Sequence, residues 1–198
     1  MKFVLATQNP KKLKEMSAIL GELGVEVVSE ADLGVKIEVE ETGETFAENS
    51  LLKAKAVMEA TKLPAIADDS GLCVDALNGG PGVYSARFGG EGLDDKGRYT
   101  LLLEMLRGQT DRAAHFHTSI VCAFPNGDEL VCEGECPGII AFAPMGENGF
   151  GYDPVFFVPD KRKTFAQLSA EEKAEISHRG KALRAFKETL RNYLAEHQ

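Results

Sequence analysis

No stretch of the chain approaches the roughly 18 consecutive apolar residues of a membrane-spanning helix, so no span is expected. The apolar run at residues 1–6 stops at Thr7-Gln8-Asn9-Pro10. It is too short for the apolar region of a signal peptide, which predicts a cytoplasmic protein. Cysteine is sparse. Of four cysteines, only Cys132 and Cys136 lie close together, and no second pair completes a zinc site. Reduced, structural thiols are therefore expected. Positive charge is in deficit: the formal net charge is −9, which disfavours nucleic acid and anionic membrane as partners. A polyanionic ligand would have to be met by a local group of cations and a metal. Neither G-x-x-x-x-G-K-[ST] nor G-x-G-x-x-G occurs, which excludes the Walker loop and the dinucleotide fingerprint. Repeats, low-complexity tracts and linkers are also missing.

What is present is an ordinary soluble composition, 43% hydrophobic and 27% charged. Its 198 residues suit a single catalytic unit, 1–198, with two lobes. Residues 2–6 read as a buried strand. Asn9 caps a helix that Pro10 opens, with Leu13, Met16, Leu20 and Leu23 at helical spacing and Gly24 as its end. Residues 26–29 can form a second strand. Thr45-Phe46-Ala47-Glu48 is a capping box for a helix to about Thr61, with Phe46, Asn49, Lys53, Ala56 and Ala60 near one face. Residues 64–67 form a strand expected to end at Asp68-Asp69-Ser70-Gly71, and residues 79–82 form a loop. A helix follows over about 94–107. Residues 114–124 alternate as a strand, Pro125-Asn126-Gly127-Asp128 turns, and residues 129–133 return. Residues 137–141 and 155–158 are further strands. Ser169-Ala170-Glu171-Glu172 is a second capping box, and a last helix begins near Ser177. Strand–helix units at both ends and hairpins between them predict an α/β fold. It has two lobes around a cleft and a mixed sheet flanked by helices. Ligands in such sheets gather at the carboxyl ends of strands.

Five constellations carry chemistry. Thr7, Gln8, Asn9, Pro10, Lys11 and Lys12 join a strand to a helix start, where unpaired N–H groups and the helix dipole favour anions. Alone, the segment fits an ordinary helix cap with solvated lysines better, by about two to one. Asp68 and Asp69 are adjacent on a strand and so point to opposite faces. One can face a site while the other braces the loop, and Mg²⁺ suits such hard carboxylate oxygens. Asn49 and Lys53 lie one helical turn apart, downstream of Glu40-Glu41-Thr42-Gly43. A glutamate there could complete a metal site, and Lys53 could neutralise phosphate. In Gly149-Phe150-Gly151-Tyr152-Asp153-Pro154, glycines let an aromatic ring approach a planar ligand, and Asp153 can accept hydrogen bonds. Lys173 with Ser177-His178-Arg179 supplies donors near the last helix start. His115 and His117 share a strand face, but no further metal ligand is evident near them in sequence. They are read as exposed or core-satisfied, and Cys132 and Cys136 as structural.

Read in order, the motifs resemble a known family. T-x-N-x-x-K, E-E-T-G before N-x-x-x-K, A-D-D-S-G-L, a glycine-proline loop before Tyr84-Ser85-Ala86-Arg87, F-G-Y-D-P and S-H-R occur in register. They are similar to those of the inosine/xanthosine triphosphate pyrophosphatase family, from Thr7 to the final helix. The resemblance implies a two-lobed α/β fold around a long mixed sheet with the active-site cleft between the lobes, and a homodimeric, Mg²⁺-dependent hydrolase. It would cleave ITP, dITP, XTP and dXTP to the monophosphate and pyrophosphate and so clean the nucleotide pool. It implies a catalytic role for Asp69 and Mg²⁺ binding by Asp69 and by Glu41 or its neighbour Glu40. It assigns Thr7 to Lys12, Lys53 and Ser70 to substrate and phosphate. Phe150, Gly151, Tyr152, Asp153, Lys173, His178 and Arg179 match nucleotide and base contacts, with Asp68 and Asn49 in support. Gln8 departs from the glycine common at that position. The alternatives are a pyrophosphatase for pyrimidine or methylated nucleotides, and a non-catalytic nucleotide sensor.

Overall fold

The computed structural model describes residues 1–197, with the side chain of Lys11 outside that description. β1 (Lys2–Leu5) leads into α1 (Pro10–Gly21) and then β2 (Glu26–Ser29), which pairs in parallel with β1. α2 (Phe46–Thr61) precedes β3 (Ala65–Val74), which lies parallel to β1 on its other side. There follow β4 (Gly80–Pro81), α3 (Asp95–Met105), β5 (Ala113–Ala123), β6 (Glu129–Ile140), β7 (Phe156–Val158), β8 (Lys163–Thr164), α4 (Ala170–Ile176) and α5 (His178–Glu196). The strands make one mixed sheet in the order β2-β1-β3-β5-β6-β7-β8, with β4 antiparallel on β3. The fold class is thus the expected α/β one.

The chain divides into two compact units. One comprises Met1–Asp69, Thr118–Glu133 and Ala182–Gln198; the other comprises Ser70–His117 and Gly134–Lys181. In the first unit, strand alternation sorts the core. Phe3, Leu5, Ile66, Ile120 and Cys122 pack with Met16 and Leu20 of α1 and with Leu183, Phe186 and Leu190 of α5. The intervening residues Val4, Ala6, Ala65, Ala67, Val121 and Ala123 pack with Ala54 and Val57 of α2. Helix α1 thus covers one face of β3 and α2 the other. The second unit has its own core, in which Phe116, Phe156 and Phe165 stack among Leu72, Leu102, Leu106 and Ile140.

Local chemistry explains the elements. The Thr45 hydroxyl accepts the Glu48 N–H, and the Glu48 carboxylate accepts the Thr45 N–H, which starts α2. Ser169 and Glu172 do the same for α4. The buried stripe of α2 is Phe46, Ser50, Ala54 and Val57, with Asn49 buried beside it, whereas Ala60 is exposed. The apolar stripe is therefore rotated from the expected one. β3 also differs: it runs on through Asp68, Asp69 and Ser70 instead of stopping there. Aspartate is poor in strands because of its charge and its local hydrogen bonding. Here both carboxylates are engaged by neighbouring side chains, so sheet pairing prevails. β6 similarly fuses the two strands expected at 129–133 and 137–141.

Candidate active site

Alternation along β3 sends its two aspartates to different helices. Asp68 points to the α1 side, where Lys12 Nζ donates to its Oδ2 at 2.7 Å. Asp69 points to the α2 side, where Asn49 Nδ2 donates to its Oδ2 at 3.3 Å. Thr118 Oγ1 holds the Asp69 carbonyl at 3.1 Å. Lys53, one turn after Asn49, reaches both the Asp68 carbonyl oxygen at 2.6 Å and Glu41 Oε1 at 2.9 Å. The ion pairs Lys12–Asp68 and Lys53–Glu41 are thereby joined through the Asp68 carbonyl.

The Glu40-Glu41-Thr42-Gly43 loop is tied to the same cluster. Asn49 Oδ1 accepts the Gly43 N–H at 2.8 Å, so one amide links the loop to Asp69. A Cβ on Gly43 would lie 2.7 Å from Asn49 Oδ1 and 2.7 Å from Glu48 Cβ. Only glycine permits that approach. Glu40 is exposed, whereas Glu41 is half-buried against Lys53.

After β1, Asn9 N–H donates to Thr7 Oγ1 at 3.2 Å, and Lys12 N–H donates to Asn9 Oδ1 at 3.4 Å. The segment thus turns tightly into α1, as the Asn-Pro pair predicts. Thr7, Gln8, Asn9, Lys12, Lys53 and Asp68 together line a cavity of about 410 Å³. Gln8 therefore presents its side chain where the phosphate-facing reading needs contact. The Lys11 side chain lies outside the described residues. Glu30 and Glu38 also line the cavity and carried no sequence signal. Glu30 is held by accepting the Ile37 N–H at 3.0 Å.

The donor set suits a hard cation. Glu41, Asp68 and Asp69 offer only carboxylate oxygens, the chemistry Mg²⁺ prefers. Glu40, Glu41 and Asp69 do not themselves form a tight triad. Among the described residues, the one group of three ligating side chains whose ligand atoms all lie within 4.8 Å is His115, His117 and Glu135.

The family model described as the Ham1 family matches residues 3–189. The chain belongs to the Ham1 family. It is 49% identical over 195 residues to a dITP/XTP pyrophosphatase of Escherichia coli K12, covering 96% of this chain and 98% of that protein. It is 52% identical over 193 residues to one of Haemophilus influenzae, with the same coverages. Among solved structures, the Staphylococcus aureus Ham1 protein superposes with a TM-score of 0.92 at 42% identity, covering 98% of this chain and all of that one. A Ham1 protein from Coxiella burnetii also gives 0.92, at 43% identity over 96% of this chain and 98% of that one.

The other expected site residues, with Ser70, lie in the second unit. Asp153 is 3% exposed, and its Oδ2 accepts both the Phe150 N–H at 3.0 Å and Lys173 Nζ at 2.5 Å. The carboxylate braces the glycine loop from beneath. A Cβ on Gly149, at φ +78°, would come within 2.0 Å of that oxygen, which accounts for the glycine. Burial raises the Asp153 carboxyl above its ordinary range, with Lys173 opposing the shift. Lys173 Nζ also sits 5.0 Å over the Phe150 ring, which is half exposed. The Gly151 N–H donates to Asp95. Tyr152 is buried and donates to the Ser85 carbonyl at 2.7 Å. Ser85 Oγ in turn accepts the Leu72 N–H at 2.9 Å, so Tyr84-Ser85-Ala86-Arg87 fastens β3 to the loop. At the start of α5, the His178 ring stacks on Phe116 with centroids 4.7 Å apart. Arg179 approaches Ser70 Oγ at 3.5 Å.

Proposed function

We propose that this chain hydrolyses non-standard purine nucleoside triphosphates, ITP and dITP or XTP and dXTP, to the monophosphate and pyrophosphate. The carrying observation is the two ion pairs Lys12–Asp68 and Lys53–Glu41, joined through the Asp68 carbonyl, at the cavity that Thr7, Gln8 and Asn9 line. They gather ammonium groups for a polyphosphate and hard oxygens for its counter-cation. The relatives named dITP/XTP pyrophosphatase, near half identity over almost the whole chain, support the substrate class.

In this reading water attacks the α-phosphorus, its proton passes to Asp69 Oδ2, and the bond to the bridging oxygen of pyrophosphate breaks. Asn49 and Thr118 fix Asp69 for that transfer. Lys12, Lys53 and Lys173 offset the phosphate charge. Mg²⁺, held by Asp69 with Glu41 or Glu40, would supply further compensation at the phosphate oxygens. His178 and Arg179 donate to the C6 oxygen of hypoxanthine or xanthine, and an adenine amino group would face donor with donor. Phe150 and Tyr152 shape the base contact. We propose also a cytoplasmic homodimer, for which exposed Ile139 and Phe142 offer apolar surface; sedimentation equilibrium tests the dimer.

The test is a steady-state panel of ITP, dITP, XTP, GTP, ATP, TTP and methylated UTP with Mg²⁺, assayed separately for pyrophosphate and phosphate. Inosine and xanthosine substrates should lead, with pyrophosphate as product. Asp69→Asn should lower turnover by roughly 10²–10⁴, the usual worth of a positioned base. Near-normal release by that variant removes Asp69 from its role, and preference for TTP or methylated UTP replaces the substrate class.

A further inference from the structure

We propose that His115, His117 and Glu135 form a binding site for a borderline divalent cation such as Zn²⁺, built from residues outside the phosphate cluster. The β5–β6 hairpin creates it. Phe124 N–H donates to the Asp128 carbonyl at 3.0 Å, and Gly127, at φ +95°, completes the turn. Antiparallel pairing continued from Phe124 and Asp128 brings His117 opposite Glu135, each the same number of residues along its strand. Alternation puts His115 on the same face as His117.

The contacts follow that register. His117 Nδ1 lies 2.9 Å from Glu135 Oε1, His115 Nε2 lies 4.0 Å from the same oxygen, and all three ligand atoms fall within 4.8 Å of one another. Zinc–nitrogen bonds of about 2.0–2.1 Å in a tetrahedron place neighbouring ligands about 3.3 Å apart. The partly exposed side chains reach that spacing by small rotations. At present a ring proton occupies the line between His117 and Glu135, where a cation would replace it. Two imidazoles and one carboxylate are the donor set of zinc and its neighbours, whereas Mg²⁺ takes oxygen. The half-exposed Glu135 leaves room for water as a fourth ligand. Lys181, which donates to the Glu135 carbonyl at 2.8 Å, is the opposing charge that the ion must tolerate. Cys73 also senses Glu135: burial, with that carboxylate adding to it, pushes its thiol up to about 11.

The experiment is calorimetric titration of ZnCl₂ into tag-free, EDTA-treated full-length protein at neutral pH, with MgCl₂ in excess to occupy oxygen sites. One Zn²⁺ per chain is expected for the wild type. The double variant His115→Ala/His117→Ala should lose that equivalent, and Glu135→Gln should weaken it at least about tenfold. Cys73→Ser/Cys136→Ser should retain it. Glu135 is more than half exposed, so its variant tests the site even if the double histidine variant fails to fold. Unchanged Zn²⁺ binding by Glu135→Gln, or loss of binding in the cysteine variant, overturns the proposal. Pyrophosphate release plays no part in the readout, so the outcome is independent of the proposed hydrolysis.

Discussion

Gly43 occupies a place where a methyl group does not fit. Gly43→Ala must displace Asn49 or the loop, and Asn49 is the amide that reaches Asp69. We expect a stability loss of about 1–3 kcal/mol, typical of overpacking, together with a fall in kcat/KM of at least about tenfold. Urea unfolding and steady-state kinetics on dITP measure the two effects. Asp153 makes a different prediction. Its carboxyl is raised by burial, so the folded chain holds that proton more tightly than the unfolded chain. Stability from this group is full below the ordinary aspartate value, near 3.9, and is lost as pH rises through the folded value. The unfolding free energy of wild type relative to Asp153→Asn should therefore decline as pH is raised from about 4. A rise across that range in urea titrations contradicts the assignment. At this scale the sequence named residue types only, because each motif alone reads as readily as a helix cap, a turn or a solvated surface. Partners were not named. That Lys53 takes the Asp68 carbonyl, or that Asp153 supports Phe150 and Lys173, depends on approach distances that no spacing encodes.

Elements were the most legible level. The capping boxes at Thr45 and Ser169 start α2 and α4 where their spacing predicts, because the hydrogen bonds that define them lie within one turn. Thr45→Ala should cost about 1 kcal/mol, read as a lowered urea midpoint with an unchanged slope. The same helix carries Asn49 and Lys53, so the loss should be accompanied by weaker substrate turnover. β3 was shortened in sequence because Asp68 and Asp69 read as a turn. Compensation by Lys12 and Asn49 comes from residues far away in the chain, and only then does the strand continue. His115 and His117 show the reverse case. The hairpin turn was visible, yet its consequence for Glu135 required the register to be carried through the full length of both strands.

For the molecule as a whole, the net charge of −9 led to the expectation that any polyanion would need local cations. The α/β class and the Ham1 family agree with what the motifs implied, while buried supports such as Arg112 gave no signal. Arg112 donates to the carbonyls of Ile140, Leu106 and Ala141, at 2.6, 3.2 and 2.9 Å. Arg112→Met removes all three bonds and leaves those acceptors buried, so global stability should fall by about 2–4 kcal/mol. Chemical denaturation followed by circular dichroism measures it.

Lys12, Lys53 and Lys173, proposed to meet phosphate, each already grip a carboxylate: Lys12 with Asp68, Lys53 with Glu41, and Lys173 with Asp153. In the proposed reading a nucleotide would enter by partner exchange, because the ammonium groups present little uncompensated field to draw it in. With a net charge of −9 repelling it, its arrival rate should rise with ionic strength, the reverse of a ligand steered by open positive potential.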